Sequence, residues 1–383
     1  MTILQKVLFG TAVAVGAVAI TNLVFFPNKW KAALMSIFNS PVGYYLIRLF
    51  KSQKKQLSKR DPMISGHLEI RIVPTLEDNY TYLIIDREQK TVIAIDPGLN
   101  ILDELEPFTL IAILNTHKHW DHTCGNLDLY KKYPNVKVYG SEIDFQAGIN
   151  NIYNKITNKV KDGDEIEVGR CSIKVISTPC HTKGSVMFLV DPVNSLRLAG
   201  MYDQIEKLGL AASNWNPLAP LLFTGDTLFL GGCGRFFEGN ATDMYKIVHK
   251  LTKILATNTY IFPGHEYTFD NLAFAKLLDP SSVAIELAYN HARDCKRLNF
   301  PTVPGDWGQE LQTNPYLLVD YKGKDLALWK YAMKRAEKAG IVEGIRKLVV
   351  ETLPKDAPEY AIQEMVMIGC IRTLKDSFVN PNK

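Results

Sequence analysis

Five of the eight histidines in this chain stand at the ends of short apolar runs, and this arrangement restricts its fold more than any other feature. The densest group is residues 115–122, which read NTHKHWDH and follow an apolar run. Alternate residues of an extended segment point to the same side, so His117 and His119 can bind one ion together. Asp121 and His122 come after the chain has turned, and we expect them to face a neighbouring site.

Three more residues of the ligand type follow later apolar runs. They are His181, Asp226 and His265, each beside or near a glycine or a proline. The ends of neighbouring strands can converge on one rim, so these residues predict a metal centre shared by several strands. Imidazole together with carboxylate suits zinc, iron or manganese. The remaining histidines lack this setting and are interpreted as ordinary polar residues: His67, His249 and His291.

Charge is unevenly distributed along the chain. Residues 1–60 contain nine lysines or arginines and no acid, whereas residues 61–383 contain 35 basic and 40 acidic side chains. Residues 61–383, the body of the chain, are therefore slightly acidic. This excludes the strongly basic surface that is typical of a nucleic-acid-binding protein. The six cysteines show no CxxC pairing, which favours free thiols in a reducing compartment. The sequence identifies no protein partner.

The N-terminal region predicts a membrane anchor. Residues 7–26 are uncharged and apolar, and about 20 such residues cross a bilayer as a helix. A cleaved signal peptide or a mitochondrial presequence is the alternative, but this run is longer than a secretory apolar region. We expect an anchor at residues 1–30 and a basic amphipathic linker at residues 31–66. Positive charge is heavier after the run, so the body would face the cytosol, and a mitochondrial membrane is an alternative location.

Short runs rich in β-branched and aromatic residues, separated by turn residues, predict strands through the middle of the chain. These runs are residues 68–74, 80–86, 91–97, 110–115, 136–139, 172–176, 186–190, 222–224 and 259–262. The predicted helices are residues 270–278, 282–298 and 324–376, the last broken at Pro354 and Pro358. Strands first and helices last predict an α+β fold, with a strand-rich domain at residues 67–268 and a helical domain at residues 269–383.

The segment from His117 to His122 resembles the HxHxDH signature of the metallo-β-lactamase superfamily. That resemblance implies a four-layered αβ/βα sandwich with two metal ions at one edge. It implies that the first ion binds His117, His119 and His181, that the second binds Asp121, His122 and His265, and that Asp226 bridges both together with a water. Zinc is the expected metal, and iron or manganese suits the same donors.

Other motifs are similar to those of the glyoxalase II (hydroxyacylglutathione hydrolase) group. They are residues 224–239 (TGDTLFLGGCGRFFEG), 263–268 (PGHEYT), 301–304 (PTVP), 314–316 (NPY) and 372–376 (RTLKD). The resemblance implies hydrolysis of S-D-lactoylglutathione, or a similar 2-hydroxyacylglutathione, to glutathione and a hydroxy acid. A hydroxide between the two ions would be the nucleophile, with Asp121 and Asp226 as catalytic residues. The strand-rich domain would be catalytic, and the helical domain would bind substrate.

The resemblance also assigns glutathione recognition to five residues, which are Arg235, Phe237, Tyr267, Arg372 and Lys375. Glutathione has two carboxylates, and cationic donors can bind such groups through paired hydrogen bonds. The chain departs from the group in four places. It has Cys180 where glycine is usual and Phe237 where tyrosine is common, an extra stretch at residues 198–220, and a longer segment at residues 320–370.

Other readings of the sequence remain open. A mononuclear iron persulfide dioxygenase of the same superfamily also shares the histidine motif, but it lacks the long helical C-terminal part. A membrane-anchored scaffold with a weak hydrolase site would bind partners through its helices. Cys124 and Cys233 adjoin the motifs, yet the glycine-rich surroundings of Cys233 favour a tight loop over a nucleophile. Trp120 is interpreted as a packing residue.

Overall fold

The computed structural model describes residues 57–145, 156–204, 215–318, 327–354 and 356–381. The predicted anchor, together with all of the predicted linker before residue 57, lies outside the described residues. Among the helices of the described ranges, none has both the length and the apolar character needed to cross a bilayer.

The first sheet has seven strands that lie in chain order. These are β1 (Met63–Ser65), β2 (Leu68–Thr75), β3 (Asn79–Asp86), β4 (Thr91–Ile95), β5 (Thr109–Leu114), β6 (Lys137–Ser141) and β7 (Asn158–Val160). Strands β1 to β4 are antiparallel to one another, whereas β4 to β7 pair in parallel. All eight residues of β3 are buried, as expected for a strand covered on both faces.

The second sheet has six strands in the order β15-β14-β11-β10-β9-β8. Their bounds are β8 (Glu165–Val168), β9 (Cys171–Ser177), β10 (Val186–Val190), β11 (Leu221–Gly225), β14 (Tyr260–Pro263) and β15 (Gly305–Asp306). A short hairpin of β12 (Leu228–Phe229) and β13 (Gly232–Cys233) lies apart from both sheets. Only β11 and β14 pair in parallel within the described part of this sheet.

Helices cover the sheets and form the C-terminal part. They are α1 (Leu102–Leu105), α2 (Trp120–Thr123), α3 (Asn126–Lys132), α4 (Pro192–Leu198), α5 (Ala241–Ile254), α6 (Thr268–Leu278), α7 (Val283–Leu298), α8 (Trp307–Thr313), α9 (Ala327–Lys338), α10 (Val342–Glu351) and α11 (Glu359–Asp376). A capping box starts α5, because the Asn240 side chain accepts the Asp243 amide proton and Asp243 accepts that of Asn240.

The two sheets pack face to face over one core. The Tyr82 ring of β3 lies 5.3 Å from the rings of both Phe223 and Phe262 in the second sheet. Helices α1 and α3 cover the outer face of the first sheet through a second apolar cluster. Helix α4 packs on β9 at the other side. The structure thus has mixed α/β architecture with a helical C-terminal part, as the predicted α+β sandwich requires.

Strand direction places several chain segments at one edge of this sandwich. Strands β4 and β5 are parallel, so their C-terminal ends lie side by side. In the other sheet β9, β11 and β14 run in the same direction, because β10 is antiparallel to β9 and β11. The residues that follow these strands therefore meet at a common rim.

The predicted strands and helices are found, with some additions. The break at Pro354 and Pro358 separates α10 from α11. The sequence interpretation missed α5, the hairpin of β12 and β13, and short strands such as β7. The predicted domain division between residues 268 and 269 falls one residue inside α6, and it stays a prediction.

Candidate metal centre and substrate cleft

Three imidazoles converge at the ends of β5 and β9. The His119 Nδ1 atom lies 2.9 Å from His117 Nε2 and 3.0 Å from His181 Nε2. Zinc–nitrogen bonds of about 2.0–2.1 Å at tetrahedral angles separate two ligand nitrogens by about 3.3 Å. Only small shifts would therefore let this first group hold one ion.

A second group lies beside the first. The Nε2 atoms of His122 and His265 are 3.3 Å apart, and the Asp121 Oδ2 atom lies 3.7 Å from His122 Nε2 and 3.4 Å from His265 Nε2. All three donor atoms are close enough to share an ion. The turn that begins α2 after His119 gives Asp121 and His122 this separate direction.

The Asp226 carboxylate lies between the two groups. Its Oδ2 atom is 3.5 Å from His181 Nε2 in the first group and 3.4 Å from His265 Nε2 in the second. Its Oδ1 atom is 3.3 Å from His122 Nε2, is buried, and has no hydrogen-bond donor in the described structure. A buried carboxylate oxygen without a donor is costly unless a cation compensates it, so the residues fit a pair of metal ions.

The electrostatics of the two groups differ. Burial and the neighbouring His181 imidazole lower the pKa of His119 to about 4, which leaves its lone pair free to bind a cation. Burial also acts to lower the pKa of His122, but the carboxylates of Asp226, Asp121 and Asp96 outweigh it and raise this pKa to about 10. The carboxylates around the second group therefore favour a positive charge beside them. A bound divalent metal ion supplies this charge when the imidazoles are neutral.

Outer hydrogen bonds orient the imidazoles, and sequence reasoning did not find their acceptors. Asp96 Oδ2 lies 2.9 Å from His122 Nδ1, and Asp78 Oδ1 lies 2.8 Å from His265 Nδ1. Each Nδ1–H donates to its carboxylate, which directs Nε2 into the centre. The His181 Nδ1 atom similarly lies 3.0 Å from the backbone oxygen of Arg235.

The position of Asp96 offers a signal that could have identified it. It directly follows β4, as the histidine segment follows β5, and Ile95 pairs with Leu114 across these parallel strands. Asp96 has a left-handed backbone, with φ of 49°, and it binds both the amide and the hydroxyl of Thr116. Aspartate tolerates such a backbone better than most residues do.

We expect Asp96→Asn to lower metal affinity about 10- to 100-fold, because the amide would no longer fix the His122 tautomer as a carboxylate does. Asparagine also tolerates a left-handed backbone, so the fold should remain intact. Competitive metal titration against a chromophoric chelator measures the effect. Asp128→Asn on α3 is the control and should leave affinity unchanged, and an unchanged affinity in Asp96→Asn would contradict the orienting role.

A cleft of about 520 Å³ opens beside the centre and contains His181 and Asp226 in its wall. All five predicted glutathione-binding residues line it: Arg235, Phe237, Tyr267, Arg372 and Lys375. The Phe237 ring lies 5.8 Å from the His119 ring and 5.1 Å from the His181 ring. The Tyr267 ring stacks on the His265 ring at 4.8 Å.

The two cations from α11 are ordered parts of the cleft wall. Arg372 is only 8% exposed, and it donates to the Cys233 carbonyl at 2.9 Å and to Asp376 at 3.0 Å. Lys375 donates to the Asp270 carbonyl at 2.7 Å. The Arg235 Nε atom lies 3.3 Å from the same Asp376 carboxylate. Cationic side chains therefore concentrate on this side of the cleft.

The cysteines beside the motifs are unsuited to nucleophilic chemistry. Burial raises the pKa of Cys233 to about 11, so its thiol stays protonated near neutral pH. Cys180 is fully buried with its sulfur 3.6 Å from the Asn240 carbonyl oxygen, and burial raises its pKa too. Cys124 packs against Trp120, which supports the interpretation of Trp120 as a packing residue.

Comparison with known proteins gives the family. Residues 75–191 match the metallo-beta-lactamase superfamily, and residues 266–378 match the family described as hydroxyacylglutathione hydrolase C-terminus. The cytoplasmic hydroxyacylglutathione hydrolase of Arabidopsis thaliana is 35% identical over 265 residues, covering 66% of this chain and 89% of that protein. The hydroxyacylglutathione hydrolase-like protein of Gallus gallus is 33% identical, covering 66% of this chain and 80% of that protein.

Among solved structures, a metallo-beta-lactamase from Staphylococcus aureus subsp. aureus COL is 21% identical, with a TM-score of 0.44 over 82% of this chain and 72% of that chain.

The two curated relatives and the two matched families agree with the motifs found in the sequence. The chain therefore belongs to the hydroxyacylglutathione hydrolase (glyoxalase II) group of the metallo-β-lactamase superfamily.

Proposed function

We propose that this protein hydrolyses glutathione thioesters of 2-hydroxy acids, such as S-D-lactoylglutathione, at a centre of two zinc ions. The observation that carries the proposal is the position of the Asp226 carboxylate, within 3.5 Å of imidazole nitrogens from both groups. The similarity to proteins named hydroxyacylglutathione hydrolase supports the substrate class. Iron or manganese suits the same donors.

The proposed ligands follow the two groups. His117, His119 and His181 would hold the first ion, Asp121, His122 and His265 the second, and Asp226 both. When bound there, the ions lower the pKa of a water to about 7 and so supply hydroxide at neutral pH. Asp121 and Asp226 would have the catalytic role of accepting a hydrogen bond from this hydroxide and orienting it.

The other side chains position the substrate. Burial raises the pKa of Tyr267, so its phenol stays protonated near neutral pH and is able to donate a hydrogen bond to the substrate. Arg235, Arg372 and Lys375 face the carboxylates of glutathione. Thiols have pKa values of about 8.5, so glutathione leaves as the thiolate and the chain needs no general acid at that position.

The function is tested on the full-length chain purified in detergent. We expect about two metal ions per chain, lactoylglutathione hydrolysis, and complete loss of turnover with a chelator. Metal content is measured by mass spectrometry, and turnover by the release of free thiol. A single iron per chain without hydrolysis would instead favour the persulfide dioxygenase.

We expect Arg235→Ala to raise the KM for lactoylglutathione about tenfold and to change kcat little. A charged hydrogen bond contributes about 1.5–3 kcal/mol, and the exposure of Arg235 favours the lower end of this range. Arg235 would bind substrate and transition state alike, which is why the effect falls on KM. Initial-rate kinetics measure it, with Arg335→Ala on α9 as the control. If neither Arg235→Ala nor Arg372→Ala alters KM, the glutathione assignment is wrong.

We also propose that residues 7–26 anchor the protein in a membrane with its catalytic part facing the cytosol. The length of this run and the nine basic residues among residues 1–60 support the proposal. Protease protection in sealed vesicles tests it, since a cytosolic catalytic part is digested without detergent.

A further inference from the structure

A buried aspartate lies behind the first imidazole group. Asp144 follows β6 in the first sheet and is only 1% exposed. Its Oδ2 atom accepts the Lys118 amide proton at 3.0 Å and the Thr182 hydroxyl proton at 2.6 Å. Its Oδ1 atom accepts the Gly184 amide proton at 2.9 Å. One carboxylate therefore holds two separate segments of the chain together.

These two segments carry the ligands of the first group. Lys118 stands between His117 and His119, in the loop after β5. Thr182 directly follows His181, in the loop after β9. Strand β5 belongs to the first sheet and β9 to the second, so the carboxylate connects the ligand-bearing loops of both sheets.

The chain packs closely around Asp144. A β-carbon at Gly184 would lie 2.5 Å from the Asp144 backbone nitrogen and 2.6 Å from its Cγ atom, and both distances are shorter than a normal contact. Glycine therefore lets the amide at position 184 reach the carboxylate. The Asp144 amide itself donates to the Ser141 carbonyl at 3.2 Å, which fixes the turn after β6.

The negative charge of Asp144 is compensated locally. Lys118 Nζ lies 3.7 Å from Asp144 Oδ1 and 2.7 Å from Glu238 Oε1. Glu238 Oε2 in turn accepts the Lys183 amide proton at 2.8 Å. A buried carboxylate is well accommodated when an ammonium group and three hydrogen-bond donors surround it. The loss of one of its oxygens would leave a buried donor without an acceptor, which is costly.

The two imidazole groups are supported in different ways. In the second group, two outer carboxylates accept hydrogen bonds from the imidazoles themselves. In the first group, the His117 Nδ1 atom lies 3.1 Å from the Thr116 hydroxyl. The His181 Nδ1 atom lies 3.0 Å from the Arg235 carbonyl oxygen. The carboxylate of Asp144 supports this first group through the backbone beside its ligands.

We propose that Asp144 is a positioning residue that preorganises the first imidazole group for its metal ion. This inference rests on the proposed function, because it requires the metal centre. Without the carboxylate, the two loops would have to be ordered when the ion binds, and this ordering lowers affinity. Outer partners of metal ligands alter affinity about 10- to 100-fold, and the backbone route of Asp144 favours the lower end.

The test measures the zinc affinity of the full chain in detergent, by competition with a chromophoric chelator. Two backgrounds each retain one intact group, since His265→Ala disrupts the second and His119→Ala the first. We expect Asp144→Asn to lower affinity about tenfold in the His265→Ala chain and to leave it unchanged in the His119→Ala chain. In either orientation of the new amide, the backbone N–H of Lys118 or of Gly184 loses its acceptor.

Glu142→Gln is the matched control, because Glu142 stands two residues earlier with its carboxylate 61% exposed and paired with Lys159. It should leave zinc affinity unchanged in both backgrounds. Thr182→Val removes one donor to Asp144 with little change of shape, and it should lower affinity about threefold in the His265→Ala chain. Thr182→Ser keeps the hydroxyl and should retain the affinity.

Hydrogen exchange of the metal-free chain gives a second readout. Asp144→Asn should speed the exchange of amides in residues 117–119 and 181–184, because the two loops open more readily without the carboxylate. The Glu142→Gln control should exchange like the unmodified chain. Unchanged exchange of both segments in Asp144→Asn would overturn the inference.

The affinities can overturn it as well. An equal loss in both backgrounds would reveal a general structural role, and an unchanged affinity of Asp144→Asn in the His265→Ala chain would show no role. If Asp144→Asn does not fold, equal affinities of Thr182→Val and Thr182→Ser would overturn the inference. An unmodified chain that binds no zinc would contradict the proposed function too, whereas zinc binding that is independent of Asp144 would contradict this inference alone.

Discussion

Asp226→Asn is expected to lower kcat for lactoylglutathione about 10³-fold, with metal content falling from two ions towards one. The amide keeps the shape of the side chain but removes its charge, and one of its two donor positions would carry N–H groups. The loss of one shared anionic ligand should cost several kcal/mol of transition-state stabilisation, and about 1.4 kcal/mol corresponds to tenfold. Steady-state kinetics and metal analysis of the same sample measure both effects.

Asp103→Asn is the matched control for this experiment. Asp103 is an exposed aspartate of α1, so the same change of charge there should affect neither turnover nor metal content. Thermal denaturation of both variants shows whether the fold is retained. If Asp226→Asn keeps full turnover and two bound ions, the proposal that both ions share this carboxylate is wrong.

The metal-free protein is expected to be most stable near pH 6.5. The pKa of His119 is lowered to about 4 in the folded state, so its unfavourable protonation removes stability as the pH falls from about 6.5 towards 4. The pKa of His122 is raised to about 10 in the folded state. The stability that its protonated form contributes is therefore complete below about pH 6.5 and is lost as the pH rises towards 10. Desolvation opposes the rise in the His265 pKa, but Asp226 and Asp121 outweigh it, so His265 acts in the same direction as His122.

Melting temperatures of the chelated protein between pH 5 and pH 8.5 measure this dependence, below the range where thiols and phenols titrate. Bound ions replace the protons of the second group, so reloading metal should abolish the loss of stability above pH 6.5. His122→Asn should weaken the same alkaline loss in the metal-free form, whereas His291→Gln on α7 should preserve it. A metal-free protein whose stability rises steadily to pH 8.5 would contradict these charge states.

The ligand positions could be predicted because they depend on local sequence. Alternation along an extended segment brings His117 and His119 to one side, and the following turn redirects His122. The apolar runs before His181 and Asp226 identify strand ends without knowledge of strand order. The structure brings these residues together as two adjacent groups.

The roles of the outer acceptors Asp78 and Asp96 depend on non-local pairing. The sequence alone therefore does not assign these roles, although the strand end before Asp96 marks that residue as a candidate. Asp96 meets the histidine segment only because β4 and β5 are parallel neighbours. Asp78 reaches His265 because residues 78–80 bind the chain after β14, with Tyr80 N donating to Gly264 O at 2.9 Å. No short sequence window contains both members of either pair.

The sequence by itself determined which imidazole and carboxylate side chains stand at the strand ends, since residue types and their spacing are local properties. The tertiary structure alone decided which charges are buried and where the cleft lies. The sequence suggests a role for Arg372 only through the family resemblance, whereas its burial in the cleft wall and its hydrogen bond to the Cys233 carbonyl depend on the placement of α11. The close approach of α10 to α11 likewise depends on Gly369, where a β-carbon would lie 2.6 Å from Ile345 Cγ2. Such features depend on packing between segments that are distant in the chain. No short stretch of the sequence specifies these contacts.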